Sequence, residues 1–267
     1  MHSHLHTPIK VLVMQSPMKI APARLQQVFA PESKQALTLT TPVIAHGITQ
    51  AEAYALTAMN SALAGHTHVI VETAPSANGP LIDNSPGPDF AKPLSPDAAR
   101  RIRSATDADA ILRFGITDYG LTPKSWRSSY ITFEVVSTLA ITALIASAGT
   151  SLAKGAAGAY LTQEAVEETA ESYAGFWALD VVGRPVRIQA ELIGLNPPGV
   201  LWRYDDTGFS DIKLARLYRK VDTTERDQQL AQATDSAVND VVTDLASALD
   251  HLNHPVRHIT PLVRVFR

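Results

Sequence analysis

Pro185-Val186-Arg187-Ile188-Gln189-Ala190-Glu191-Leu192-Ile193 alternates apolar and polar side chains with a period of two. Successive residues of a strand point to opposite faces. The segment therefore reads as a β-strand with Val186, Ile188, Ala190 and Leu192 turned to a core and Arg187, Gln189 and Glu191 turned the other way. Asn196-Pro197-Pro198-Gly199 follows as a turn, and Val200 to Tyr204 returns as a second strand. Together they predict an antiparallel hairpin.

Working toward the N-terminus, Ile9 to Met14 is a β-rich run bounded by Pro17, and a short helix fits Ala23 to Phe29. Thr49-Gln50-Ala51-Glu52 matches a capping box, with the apolar positions Ala51, Ala55, Met59 and Ala62 after it and Gly65 as a stop. Val69 to Thr73 reads as a strand. Residues 74–94 form a proline-rich loop. Ser95, Pro96 and Asp97 then open a helix that runs to about Ala105. Ala110 to Thr117 is a strand with Ala110, Leu112, Phe114 and Ile116 on one face, and Ser129 to Val136 continues as strand. Beyond the hairpin, Thr224 is placed to cap a long helix. Its stripe is Leu230, Ala237, Val241, Leu245, Leu249 and Leu252, and Pro255 ends it. The tail from His258 to Arg267 suits an edge strand.

Alternating strands and helices in one chain predict an α/β fold: a three-layer mixed sheet flanked by helices, forming a single domain over 1–267. A long insertion, apolar and then acidic, spans 135–180 between core strands. The 267 residues are enough for a sizeable core, and apolar residues make up 45%. Net charge is −3 with the basic residues scattered, which argues against nucleic-acid binding. The absence of cysteine removes disulfides, thiolate metal sites, a cysteine nucleophile and a lipidated cysteine. Met1 to Pro8, with His2, His4 and His6, lacks the apolar stretch of a signal peptide and reads as a flexible leader.

No motif for chemistry stands out. GxGxxG, GxxxxGK[ST], GxSxG and HExxH are all missing. Asp206-Thr207-Gly208 matches the aspartic-protease triplet but follows Tyr204 and Asp205 rather than an apolar strand, so it reads as a turn closing the hairpin strand. Glu164, Glu167, Glu168 and Glu171 share a helical face without a nearby histidine, which favours a solvated face or a ring of charge in an oligomer. His251, His254 and His258 straddle Pro255, which breaks their spacing as ligands. Trp126, Trp177 and Trp202 are read as core or interface residues. No cofactor and no metal is expected.

Val135 to Ala153 carries no charge over 19 residues, about the length of a membrane span. Serines and threonines make it polar for a lipid-facing helix. Ala143, Ser147, Ser151, Gly155 and Ala159 are small and four apart, forming one smooth stripe that lets another backbone approach closely. Three readings stand open: a buried or oligomer-facing helix, a conditional membrane element, and a strand continuing from Ile131 into a hairpin.

Three stretches carry a family resemblance. They are Ala108-Asp109-Ala110-Ile111-Leu112 with Gly115-Ile116-Thr117-Asp118-Tyr119-Gly120; Val186 to Ile193 with Gly199-Val200-Leu201-Trp202 and Thr207-Gly208; and Arg226 to Leu249. The set resembles bacterial envelope lipoproteins: the CsgG-like curli-secretion channels, the LpoB-like penicillin-binding-protein activators and the N-terminal domain of TolB. It covers about half of the chain, mainly its second half. The resemblance implies a three-layer α/β domain that binds partners or oligomerises without enzyme activity, in the periplasm or at the outer membrane. In the channel members, segments inserted between core strands build the pore, and residues 135–153 stand in a comparable place. The expected function is a non-enzymatic assembly or scaffold component, homo-oligomeric, with an envelope protein partner or a membrane contact through 135–153. The alternatives are a membrane-inserting channel or secretion component, and an enzyme using Asp118, Glu134, Asp205, Asp206 or Asp211.

Overall fold

The computed structural model describes residues 8–72, 94–123, 126 and 175–253, the last three of these as backbone only. Its elements are β1 (Ile9–Gln15), α1 (Pro22–Phe29), α2 (Pro42–Ala64), β2 (Val69–Glu72), α3 (Pro96–Ala105), β3 (Ala110–Tyr119), a helical stretch α4 over 175–182, β4 (Val186–Leu195), β5 (Pro198–Gly208), a 3-10 turn (Leu214–Tyr218) and α5 (Thr223–Asn253). The leader, most of the proline-rich loop, the strand expected over Ser129 to Val136, the uncharged run 135–153, the acidic segment Glu164 to Glu171 and the tail lie outside the described residues.

The strands form one mixed sheet in the order β2-β1-β3-β4-β5. β1 runs parallel to both β2 and β3, while β3–β4 and β4–β5 are antiparallel. The expected hairpin is β4–β5, with Leu192 opposite Trp202 and Ala190 opposite Tyr204. Its partner on the other side is β3, with Phe114 opposite Ala190. β3 and β4 are neighbours in the sheet but far apart in sequence, so the long insertion does fall between adjacent core strands.

Each face of the sheet takes its own helices. On one, Leu112, Phe114, Ile116, Ile188, Ala190 and Leu192 are buried against Leu25 and Val28 of α1 and the stripes of α2 and α5. On the other, Leu12, Ile111 and Leu195 meet Ala99 and Ile102 of α3. The α/β three-layer architecture is therefore present. Glycine sets the depth of one contact. A Cβ on Gly208 would lie 2.2 Å from the Ala233 carbonyl oxygen and 2.3 Å from the Ala237 nitrogen of α5. Only glycine lets the long helix rest directly on the end of β5.

Helix starts explain themselves and correct two expectations. Ser95 caps α3 as expected: its hydroxyl accepts from the Ala98 amide at 3.2 Å, with Pro96 in the first turn and Asp97 beside the positive end of the dipole. The capping box at Thr49 does not exist. α2 begins seven residues earlier at Pro42, where proline's missing N–H costs nothing, and Ile44 and Gly47 extend the buried stripe upstream of Ala51. Thr49 sits inside the helix, donating to the Ala45 carbonyl at 3.0 Å, and Glu52 accepts from the Met18 amide instead of turning back on Thr49. Likewise Thr224 does not cap α5. Asp222 does, accepting from the Glu225 amide at 2.8 Å. Asp206-Thr207-Gly208 is not a turn either: it is the last part of β5, in register with Ile188, Arg187 and Val186.

Candidate functional site

The polar row of β4 faces away from the core as expected, with Arg187 and Gln189 partly exposed but Glu191 withdrawn from water. Arg113, Glu191 and Arg203 stand directly opposite one another on β3, β4 and β5. Glu191 is 0% exposed, its carboxylate accepting from Arg113 Nε at 2.6 Å and Arg203 Nη2 at 3.0 Å. Arg187 makes a second cross-strand pair with Asp205. A carboxylate taken out of water persists only when it is paired and hydrogen-bonded, and here two guanidiniums supply both. The row is a structural tie across three strands.

Among the described residues, the acids considered as catalytic candidates each go to a partner of their own. Asp118 pairs with Arg24 at 3.3 Å, Asp205 with Arg187, and Asp211 with Arg216 and Lys213. Asp206 accepts from the Tyr204 hydroxyl at 3.0 Å. Glu134 lies outside the described residues, as do Ala143, Ser147, Ser151, Gly155 and Ala159 of the small-residue stripe. The same holds for His254 and His258.

A surface that the sequence reading passed over gathers at the end of the sheet where β5 finishes. Arg216 is its hub. The guanidinium is 3% exposed and donates to the Val182 carbonyl at 2.9 Å and the Asp211 carbonyl at 2.5 Å, while pairing with Asp211 and Glu225 at 3.0 Å each. One side chain thus ties the 3-10 turn to the end of α4 and the start of α5. Gln229 adds a bond from its amide to the Val181 carbonyl at 2.9 Å, and the Ser210 amide donates to Gly183 at 2.8 Å. Arg219 clamps Glu225 from outside at 2.6 Å. Hydrogen bonds from Arg219 and then Arg216 hold the Glu225 carboxyl down at about 2, and Lys213 followed by Arg216 lowers Asp211.

What this scaffold displays is apolar. Ile212 and Leu214 are each 65% exposed, Tyr218 is 88% exposed, and Trp177 on α4 is 56% exposed. Trp126 is partly exposed beside Phe209, ring centroids 6.1 Å apart. Around them alternate Lys213, Arg219 and Lys220 with Asp211 and Glu32. Single exposed apolar residues are ordinary; three large ones within seven residues of a turn pinned by Arg216 are a candidate interaction surface. The signal was present as Ile212-Lys213-Leu214-Ala215-Arg216-Leu217-Tyr218-Arg219-Lys220. It has neither helical nor strand period, so a search for periodicity skips it. The tryptophans divide accordingly. Trp202 is core, donating to Asp244 at 2.7 Å and stacked on Tyr204, and Trp177 is surface.

Among the described residues no helix is long and apolar enough to cross a membrane. No family model and no curated protein matches the chain. Among solved structures it is similar to the hypothetical protein CT253 from Chlamydia trachomatis, at 7% identity and a TM-score of 0.40 over 90% of this chain and 96% of that one. It is also similar to a PelC dodecamer from Paraburkholderia phytofirmans, at 12% identity and a TM-score of 0.32 over 92% and 94%.

Proposed function

We propose that the chain is a non-enzymatic assembly or scaffold component that works by associating with further copies of itself in a bacterial cell envelope. The observation that carries this reading is the run of exposed apolar side chains Ile212, Leu214 and Tyr218 on a turn pinned by charge, with Trp177 exposed on α4, whose end the same arginine holds. Arg216 fixes its backbone, so the exposed side chains are presented rather than left over from a loose loop. A second copy is the occupant it suits. The cations Lys213, Arg219 and Lys220 are each paired within the chain with Asp211, Glu225 and Glu32, so the charges around the apolar residues are balanced and a second copy meets no excess of like charge. The envelope setting, periplasmic or at the outer membrane, rests on the sequence motifs of β3, the β4–β5 hairpin and α5.

A second reading is favoured by the same residues. Tryptophan, tyrosine and aliphatic side chains among lysines and arginines also suit the interfacial layer of a bilayer. Light scattering behind size exclusion separates the two. Self-association predicts a defined mass above the monomer in plain buffer that rises with concentration. A mass defined only in detergent transfers the surface to a membrane role. A monomer in both conditions contradicts self-association.

A further inference from the structure

A cleft of about 390 Å³ opens between α1, α2, the end of β3 and the first turns of α5. Its size falls in the range of small-molecule sites. Phe29, His46, Gln50, Tyr54, Tyr119 and Arg226 line it. Phe29 and Tyr119 stand with ring centroids 5.7 Å apart, and Gly47 is what admits them: a Cβ there would lie 2.6 Å from the Phe29 ring. His46, Gln50 and Tyr54 are four apart on α2 and so share one face of the helix.

Arg226, which lines this cleft, and Arg184, close enough to feel its charge, each keep one guanidinium donor unsatisfied. The Nε of Arg226 is buried with no hydrogen-bond partner, its nearest acid being the mostly exposed Asp227 carboxylate at 3.7 Å. The Nε of Arg184 is likewise buried without a hydrogen-bond partner. Its guanidinium is pushed down first by burial and then by the charge of Arg226, with Asp180 opposing and Arg216 adding to the effect. Asp180 is itself engaged by the Thr122 amide and hydroxyl at 2.6 Å each. Arg184 also holds a positive φ of 42°, a conformation disfavoured for a side chain of its size. Buried donors in native proteins are almost always satisfied. Arg226 thus brings to the cleft a guanidinium with an unsatisfied donor and a second guanidinium repelling it, a combination that an anion relieves. The Tyr119 hydroxyl is a further donor beside the cleft, its ionisation pushed far up by burial.

We propose that the cleft binds a small organic oxyanion, a phosphate ester or carboxylate attached to a flat apolar body. The oxyanion head sits on the Arg226 guanidinium, with the positive field of Arg184 behind it, and the apolar body lies against the Phe29 and Tyr119 rings. Arg226 uses the fork geometry that makes guanidinium the preferred partner of carboxylate and phosphate. Asp227 is the weak counter-ion that the ligand displaces. The site does not depend on how the Tyr218 surface is used.

Phenyl phosphate, benzoate and inorganic phosphate are the probes, titrated into the full chain by calorimetry while the arginine Nε–H resonances are followed by NMR. Phenyl phosphate or benzoate should saturate one site per chain and move the Arg226 Nε–H signal, and inorganic phosphate should bind at least about ten-fold more weakly because it has no body to bury. Which of the two aryl ligands wins assigns the head group. R226A should lower the affinity about ten-fold or more, and R226K, which keeps the charge but loses the fork, should lower it by less. D227N should raise it a few-fold by removing a like charge. Should R226A fail to fold, R226K and D227N decide the matter. Absence of saturable binding by both aryl probes overturns the proposal. So does affinity unchanged in R226K and D227N, or a saturable site that leaves the Arg226 signal unmoved.

Discussion

On one face of the sheet, Leu112, Phe114, Ile188 and Leu192 meet the apolar stripes of α2 and α5. On the other, Arg113, Glu191 and Arg203 lie side by side on adjacent strands. The first face is held by apolar burial, which is non-directional and tolerates repacking of similar volumes. The second is held by a carboxylate that depends on two particular guanidiniums. The faces should therefore fail differently. Volume matters on the α5 side, and pairing matters on the Glu191 side.

The largest effect belongs to the apolar face. Phe114→Ala removes a fully buried ring at the middle of the sheet and should cost about 3–5 kcal/mol in denaturant unfolding. A loss under about 1 kcal/mol would place the core elsewhere. Next comes the charged face. Arg113→Met leaves Glu191 buried with one partner and should cost about 3 kcal/mol. The triple replacement Arg113→Met, Glu191→Leu, Arg203→Met removes the charges together and should recover most of that loss, because no buried charge is then left unpaired. If the triple variant is as damaged as the single one, the row holds the fold by something other than charge balance.

The smallest effect is local and set by pH. The carboxyls of Glu225 and Asp211 are held below their unfolded values, so their contribution is complete above about pH 4.3, the ordinary glutamate value. It is lost as pH falls through their folded values, about 2 for Glu225. Acidification through this window should loosen the 3-10 turn before the sheet. After correction for intrinsic rates, amide exchange over Leu214–Tyr218 should rise at pH 3 while β3 stays protected. Equal protection of both would show that Arg216 does not depend on these acids.

The same contrast explains what could be read in advance. Val186, Ile188, Ala190 and Leu192 announce a strand and its inner face because period two is a direct consequence of backbone geometry. Alternation assigns Glu191 to the other face but says nothing about whether that face is covered, so its burial was not legible. Ser95-Pro96-Asp97 was read correctly because three independent signals agree there. Thr49-x-x-Glu52 and Thr224 misled because a capping pattern is short, and the same residues are tolerated inside a helix where an upstream proline or aspartate already starts it. The surface of Ile212, Leu214 and Tyr218 was missed for the opposite reason: a 3-10 turn has too few residues to show a period, and its shape is fixed from outside by Arg216. The cleft was equally invisible, since Phe29, Gly47, Tyr119 and Arg226 come from four separate elements.

Self-association through the Tyr218 surface is the central claim, and photo-crosslinking tests it most directly. With benzoyl-phenylalanine in place of Tyr218, irradiation of the purified full chain should give covalent dimers whose crosslinks map to the same surface of another copy, around Trp177, Ile212 or Leu214. Pairing Leu214→Glu with the photo-probe should abolish them. Absence of dimers at concentrations where light scattering finds an oligomer, or dimers undiminished by Leu214→Glu, would contradict it.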